Sequence, residues 1–378
     1  MQYDLLLKGG KIIDKSQGIS SKLDIAFAKG KIAAIEAGIP TEQSARVIDV
    51  TDKLVTPGLI DIHAHVFTNC TNLGIAVDDI CPRTGVTTLV DAGSAGWVTL
   101  PGFRKYIIEQ SITRVLCLVH ISTLGLIYSG IGEMLNIDYA NPEAAAQAVA
   151  ENRDVAIGVK VRQGQSIVGE NGFEPLRRAV KAAEISDTCV MVHIGSMPYT
   201  LPEALKLLRS GDIVTHCFHG RETGVLDESG KLLDEVRVAR REGIIFDIGH
   251  GAGSFSFKTA RVALDSDFPP DVISSDLHAS SINGPVFDMP TTLSKFLYLG
   301  MPLEDVIEKS TAAPAKVIGR EELGALKIGT TGDVAVFDLV EGDFELRDAA
   351  GNTVTANQRL MPVLTIKDGR VIGERVKG

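Results

Sequence analysis

The 378-residue sequence has no clustered run of Lys and Arg, and its formal charge is -10. Nucleic acids and anionic membranes are both bound through concentrated positive charge, so neither is an expected partner and a small-molecule substrate is. Cysteine is scarce and unpaired in spacing. Cys70, Cys81, Cys117, Cys189 and Cys217 are odd in number and none forms a Cys-x-x-Cys. That pattern excludes a disulfide framework and fits thiols in a reducing compartment, so a cytoplasmic location is expected. The N-terminus, MQYDLLLKGGKIID, lacks the basic region, apolar core and small-residue cleavage site of a signal peptide. The longest uncharged run, Val115 to Gly132, contains His120, Ser122, Thr123, Gly125 and Gly130, so it reads as a buried strand followed by a loop rather than a membrane span. A Gly-x-Gly-x-x-Gly after an early strand is also missing, which removes the usual reason to prefer an open doubly wound sheet.

With 44% hydrophobic and 23% charged residues, the chain is long enough for one large domain and a smaller one. From Met1 to about Val55, short apolar runs are broken by Gly-containing turns, the pattern of small antiparallel strands. The pattern returns near the C-terminus in GDVAVFDL and LMPVLTIKDGRVIGE, where Asp368-Gly369 marks a hairpin. Residues 1–55 and 325–378 are therefore expected to build one small β-sandwich domain from both termini, around a middle spanning 56–324. In that middle, β-branched runs alternate with helical stretches. GLIDIHAH, TTLVDAG, RVLCLVHIS, VAIGVKV, TCVMVHIG, DIVTHC, GIIFDIG and DVISSD give eight candidate strands, with EPLRRAVKAAEI, PEALKLLRS and LLDEVRVARREG among the helices between them. Eightfold alternation predicts an α/β fold, a (β/α)8 TIM barrel, whose chemistry sits at the C-terminal ends of its strands.

The segment GLIDIHAHV places Asp61, His63 and His65 at every second position of an apolar strand, on one face. Alone, His-x-His reads as a pair of satisfied core histidines ahead of a metal site. In the barrel frame, however, Lys160 lies in the fourth strand, His193 ends the fifth, His216 the sixth and Asp276 the eighth. Six ligand-type residues at one mouth point to a metal site of imidazole and carboxylate ligands, which suits zinc or a similar divalent ion. An ammonium cannot ligate a cation. A buried lysine with a depressed pKa can instead add carbon dioxide, and the resulting carbamate anion could bridge two ions; in isolation, Lys160 reads as a salt-bridging lysine.

The ordered motifs PGLIDIHAH, GVKV, MVHIG, VTHC and SSDLHAS, followed by TTLSKFLYLGMPLEDVIEKSTAAPAKVIG, resemble the amidohydrolase superfamily and its dihydroorotase-like branch over nearly the whole chain. The resemblance implies a distorted (β/α)8 barrel with a binuclear centre of two divalent ions, zinc by expectation. His63, His65 and Asp276 would hold one ion, His193 and His216 the other, and carboxylated Lys160 would bridge them. Asp276 would also move the proton in hydrolysis. Dihydroorotase resembles His-x-His-x-Arg at its first strand, with the arginine holding the substrate carboxylate; here the sequence continues His65-Val66-Phe67. Neither side chain supplies a guanidinium fork. Some members of the branch that the sequence resembles act as deacetylases of acetylated α-hydroxy acids, so the resemblance implies hydrolysis of a small acyl ester or amide of that kind, with cyclic-amide hydrolysis, deamination or a catalytically silent scaffold as alternatives. Arg162, His219, His250 and His278 are the candidate substrate contacts, against readings as a loop salt bridge or solvated loop histidines. His120 reads as a satisfied barrel residue, and a homo-oligomer is compatible with the sequence.

Overall fold

Apolar runs with little polar alternation become strands covered on both faces. In the computed structural model, which describes residues 1–374, seven such strands lie parallel in chain order: Leu59–Ala64, Val86–Gly96, Arg114–His120, Ala156–Arg162, Cys189–His193, Ile213–Thr215 and Ile245–Asp247. The expected eighth strand is present only as an extended segment between the two ends of this sheet. It bridges Asp247 at Val272 and Ala64 at Leu277, both in parallel sense. Asp276 has φ +47, and a residue in the left-handed region cannot continue a ladder. Side-chain bonding helps to fix the seam instead: the Asp61 carboxylate accepts the backbone N–H of Ser275 at 3.0 Å and also its hydroxyl.

Helices Leu100–Tyr106, Pro142–Glu151, Glu174–Ser186, Leu201–Leu205, Asp234–Arg241, Phe257–Asp265 and Met289–Tyr298 occupy stretches between strands and after the seam. Glu174–Ser186 buries Leu176, Ala179, Ala182 and Ala183, one side of a helical repeat, and ends where Asp187 turns left-handed at φ +52. Val115–Gly132 folds as the sequence predicts, a buried strand and then a loop. No helix among the described residues is long and apolar enough to cross a membrane, and all five cysteines are free.

Strands from both ends of the chain form a second, mixed sheet of eight. Leu54–Pro57 lies between Leu5–Asp14 and Val334–Arg347, so it joins the N-terminal strands to the C-terminal ones edge to edge. Thr353–Lys367 and Arg370–Glu374 extend it on one side, Ile19–Ala28 and Lys31–Glu36 on the other, and Val47–Asp49 pairs with Leu5–Asp14 off this path. The pairing makes one continuous sheet, where the sequence reading expected a sandwich. Its own apolar cluster includes Leu5, Ile12, Phe27, Val55, Val334 and Ile366. The shared strand runs straight into Leu59–Ala64, which carries the first polar pair of the site.

Candidate active site

The polar residues of the parallel strands gather at their C-terminal ends, around a cavity of about 230 Å³. His63 and His65 come from the end of the first strand, Lys160 and Arg162 from the fourth, His193 from the fifth, His216 from just beyond the sixth, and Asp276 from the closing segment. Ligand atoms of His63, His216 and Asp276 all lie within 4.8 Å of one another. Lys160 Nζ is 3.1 Å from His63 Nε2, and His216 Nε2 is 2.8 Å from His193 Nδ1. Asp276 Oδ1 stands 3.5 Å from His63 Nε2 and 3.4 Å from His65 Nε2.

The hydrogen bonds behind these rings decide which nitrogens face inward. Thr215 donates its hydroxyl to Asp247 at 2.7 Å, so its oxygen accepts the Nδ1–H of His63 at 2.8 Å. That leaves the lone pair of His63 Nε2 directed at the cavity. His216 spends its Nδ1–H on the Gly249 carbonyl at 2.6 Å, with the same result. His65 Nδ1 rests 3.0 Å from Ser94 Oγ, and Ser94 gives its N–H to Asp91. Backing partners that fix tautomer and ring direction are what a metal-binding histidine needs. Burial, reinforced by the Lys160 charge among others, lowers the pKa of His63 and His216, while burial together with the neighbouring ring of His216, against which a second positive charge would be repelled, lowers that of His193. Burial takes His65 down to about 3, so all four are neutral ligand-type imidazoles.

Lys160 is 1% exposed, and burial lowers its amine to about 7. Burial raises Asp276 to about 6, and its Oδ1 is a buried oxygen with no hydrogen-bond partner among the described residues. Inward imidazole lone pairs on His63 and His216, the His65 ring beside them, an orphaned carboxylate oxygen and a readily neutral amine form a donor set that fits divalent cations. His216 at φ +69 and Asp276 at φ +47 are both held in left-handed backbone, a cost found mainly where a site demands it. Gly251 makes the Asp276 position possible, because a Cβ there would collide with Oδ2 of Asp276.

Residues 54–372 match the Amidohydrolase family. A deacetylase of Agrobacterium fabrum is 38% identical over 93% of this chain and 87% of its own length, and a deacetylase of Enterococcus faecalis is 34% identical over 98% and 99%. The crystal structure of a dihydroorotase superposes with a TM-score of 0.91 at 35% identity, covering 98% of this chain and 97% of that one; that of an adenine deaminase gives 0.92 at 34%, covering 98% and 99%. The chain belongs to the amidohydrolase family. It is a hydrolase with a fold of the TIM-barrel type, and divalent metals are common in its superfamily. The names of its relatives span three chemistries, so the reaction of this amidohydrolase has to be argued from its own cavity.

Of the substrate-contact candidates, Arg162 and His278 line the cavity; His219 and His250 do not. His250 stacks on Phe255, takes a hydrogen bond from Lys295 Nζ at 2.7 Å and uses Nδ1 on the Gly251 carbonyl, so both ring nitrogens are occupied away from the site. His219 is buried and accepts the Arg221 N–H. Sequence reasoning overlooked Asp247 and Asp91 behind the histidines, although each is a lone carboxylate inside an apolar strand and so demanded a partner. It also overlooked Arg221, which lines the cavity from a loop where nothing in the sequence marks it.

Proposed function

We propose that this amidohydrolase is a metal-dependent deacetylase that cleaves the acetyl ester of small α-hydroxy acids. His63, His65 and Asp276 would hold one divalent ion and His193 and His216 a second, with zinc the natural choice for imidazole and carboxylate ligands. Lys160 would stand between them as a carbamate, formed when the neutral amine nitrogen bonds the carbon of carbon dioxide and releases one proton. When bound, such ions supply Lewis acidity and lower the pKa of water. The chain's own residues do the rest. Asp276 Oδ1, buried and unpartnered, takes a proton from the attacking water and returns it to the departing alkoxide oxygen, leaving acetate and the hydroxy acid.

The observation that carries the substrate assignment is the fate of Val66 and Phe67. Both are buried, Phe67 packs its ring 4.9 Å from that of Phe103, and neither lines the cavity. Nothing at that point can clamp a carboxylate as the dihydroorotase pattern does. The cationic groups Arg162 and Arg221 line other parts of the wall, suited to a carboxylate placed differently from the scissile carbonyl. The names of the two deacetylase relatives agree with this reading. One preparation loaded with zinc tests it: O-acetyl lactate should exceed dihydroorotate by at least about a hundredfold in kcat/KM, roughly 2.7 kcal/mol of transition-state difference. Comparable rates would overturn the substrate assignment. Elemental analysis of the active protein should find about two divalent ions per chain, since the proposed ligands exceed one four-coordinate site; a single ion at full activity would overturn the binuclear centre.

A further inference from the structure

Arg162 lines the cavity, but half of its guanidinium is already engaged. Its Nε and Nη2 donate to the two carboxylate oxygens of Glu133 at 2.7 and 2.6 Å. Glu133 comes from the long loop after the third strand, and its side chain is only 7% exposed. His120, the last residue of that strand, accepts the Ser122 N–H on Nδ1 at 2.9 Å. A neutral ring must then carry its proton on Nε2, which lies 3.3 Å from the Glu133 oxygen that also takes the Arg162 Nε–H, without completing a full hydrogen bond to it. Burial pushes the Glu133 carboxyl up, and Arg162 and His120 more than reverse this, holding it at about 2. The carboxylate is therefore permanently charged, and the loop is tied to the third and fourth strands through it.

A guanidinium has two edges that can each meet a carboxylate in fork geometry, one formed by Nε and an Nη, the other by the two Nη groups. Glu133 occupies the first. Nη1 makes no hydrogen bond among the described residues, so the second edge is the one left to a ligand. We infer that Glu133, backed by His120, is a positioning residue that holds Arg162 with its free edge toward the cavity, making it the clamp for the carboxylate of the substrate. This rests on the proposed function, in which the substrate carries a carboxylate beside its acetyl ester. It also says why an arginine already paired with an acid can still recognise an anion: the pairing fixes direction on one edge and leaves the other open. An unpaired arginine would have to surrender its rotamer freedom each time the ligand bound.

Binding of ligands that cannot be hydrolysed tests the inference apart from the reaction. 2-Ethoxypropanoate replaces the acetyl group by an ether, and 2-ethoxypropanamide removes the charge. Calorimetry on the metal-loaded wild-type protein should show a preference for the carboxylate of at least about tenfold, and Arg162→Gln should abolish it. Glu133→Gln should weaken the carboxylate about tenfold while the amide changes less than about twofold, the size expected for ordering one freed side chain. Glu133→Asp, which keeps the charge, should recover part of the loss. Metal content and melting temperature are read in parallel, so that a collapsed loop is recognised by equal losses for both ligands. No preference in the wild type, equal losses in Glu133→Gln, or tighter carboxylate binding in that variant would each overturn the inference. The last would show that Glu133 neutralises Arg162 rather than aims it. Turnover of O-acetyl lactate, measured separately, reports on the deacetylase reading alone.

Discussion

Lys160→Ala is expected to lower kcat/KM by at least about a thousandfold, and to reduce the bound metal from about two ions to one or fewer. The amine sits 3.1 Å from His63 Nε2 and 3.3 Å from Met191 Sδ, with no carboxylate in direct contact among the described residues. A charged ammonium in that position would be buried among imidazoles with carboxylates acting on it only at a distance, and burial, partly offset by the charges of Asp276 and Asp247, brings its pKa down to about 7. Removing an ordinary buried lysine of this kind would cost little, because no ion pair is broken. Removing the carbamate would cost much more: two adjacent cations would lose the anion between them, and the loss of charge stabilisation would fall on the transition state. A short carboxylic acid added with bicarbonate should restore part of the metal and part of the rate. Full activity and unchanged metal content in the untreated variant would show that Lys160 serves only as packing.

The gathering of His63, His65, Lys160, His193, His216 and Asp276 was legible because it follows from alternation along strands that all end at one mouth. The fourth and fifth strands, Ala156–Arg162 and Cys189–His193, fall inside or within one residue of the apolar runs that announced them. Where a reading depended on a strand running on regularly, it failed. Asp61 shares the alternation with His63 and His65, yet the pairing with Val86–Gly96 shifts register between Asp61 and Ala64, and the carboxylate goes to Ser275 instead of the cavity. The closing segment reads as a strand, but Asp276 in left-handed backbone interrupts it, and no apolar pattern encodes a single φ angle.

Loops were less legible, for a related reason. Position after a strand says that a residue is near the mouth, not which way it points. Gly249 and Gly251, both at positive φ, turn the chain so that His250 faces Phe255 and Lys295. Arg162 was found because it lies two residues beyond Lys160 on a strand, whereas its partner Glu133 arrives from a loop that carries no periodic signal. The small terminal sheet shows the same limit. Hairpin patterns identify its strands, but only the tertiary pairing of Leu54–Pro57 with Val334–Phe337 decides that they lie edge to edge.

Asp276→Asn should lower kcat by at least about a thousandfold while leaving the fold intact, within the range that a positioned proton carrier contributes. Two features make the substitution clean. Asparagine is one of the few residues besides glycine that tolerates left-handed backbone, so φ +47 at this position is kept without new strain. The amide has the shape of the carboxylate, and its oxygen can take the place where Oδ1 now stands, 3.5 Å from His63 Nε2 and 3.4 Å from His65 Nε2. What is lost is the charge and the capacity to take and return a proton. Asp276→Ala separates this from backbone strain: alanine at the same φ should lower the melting temperature as well, by an amount reflecting roughly 1–2 kcal/mol. Thermal melts and single-turnover rates on both variants, with metal content measured alongside, distinguish the cases. A kcat for the asparagine variant within about tenfold of wild type would mean that the proton travels through another group, and the role assigned to Asp276 would fall.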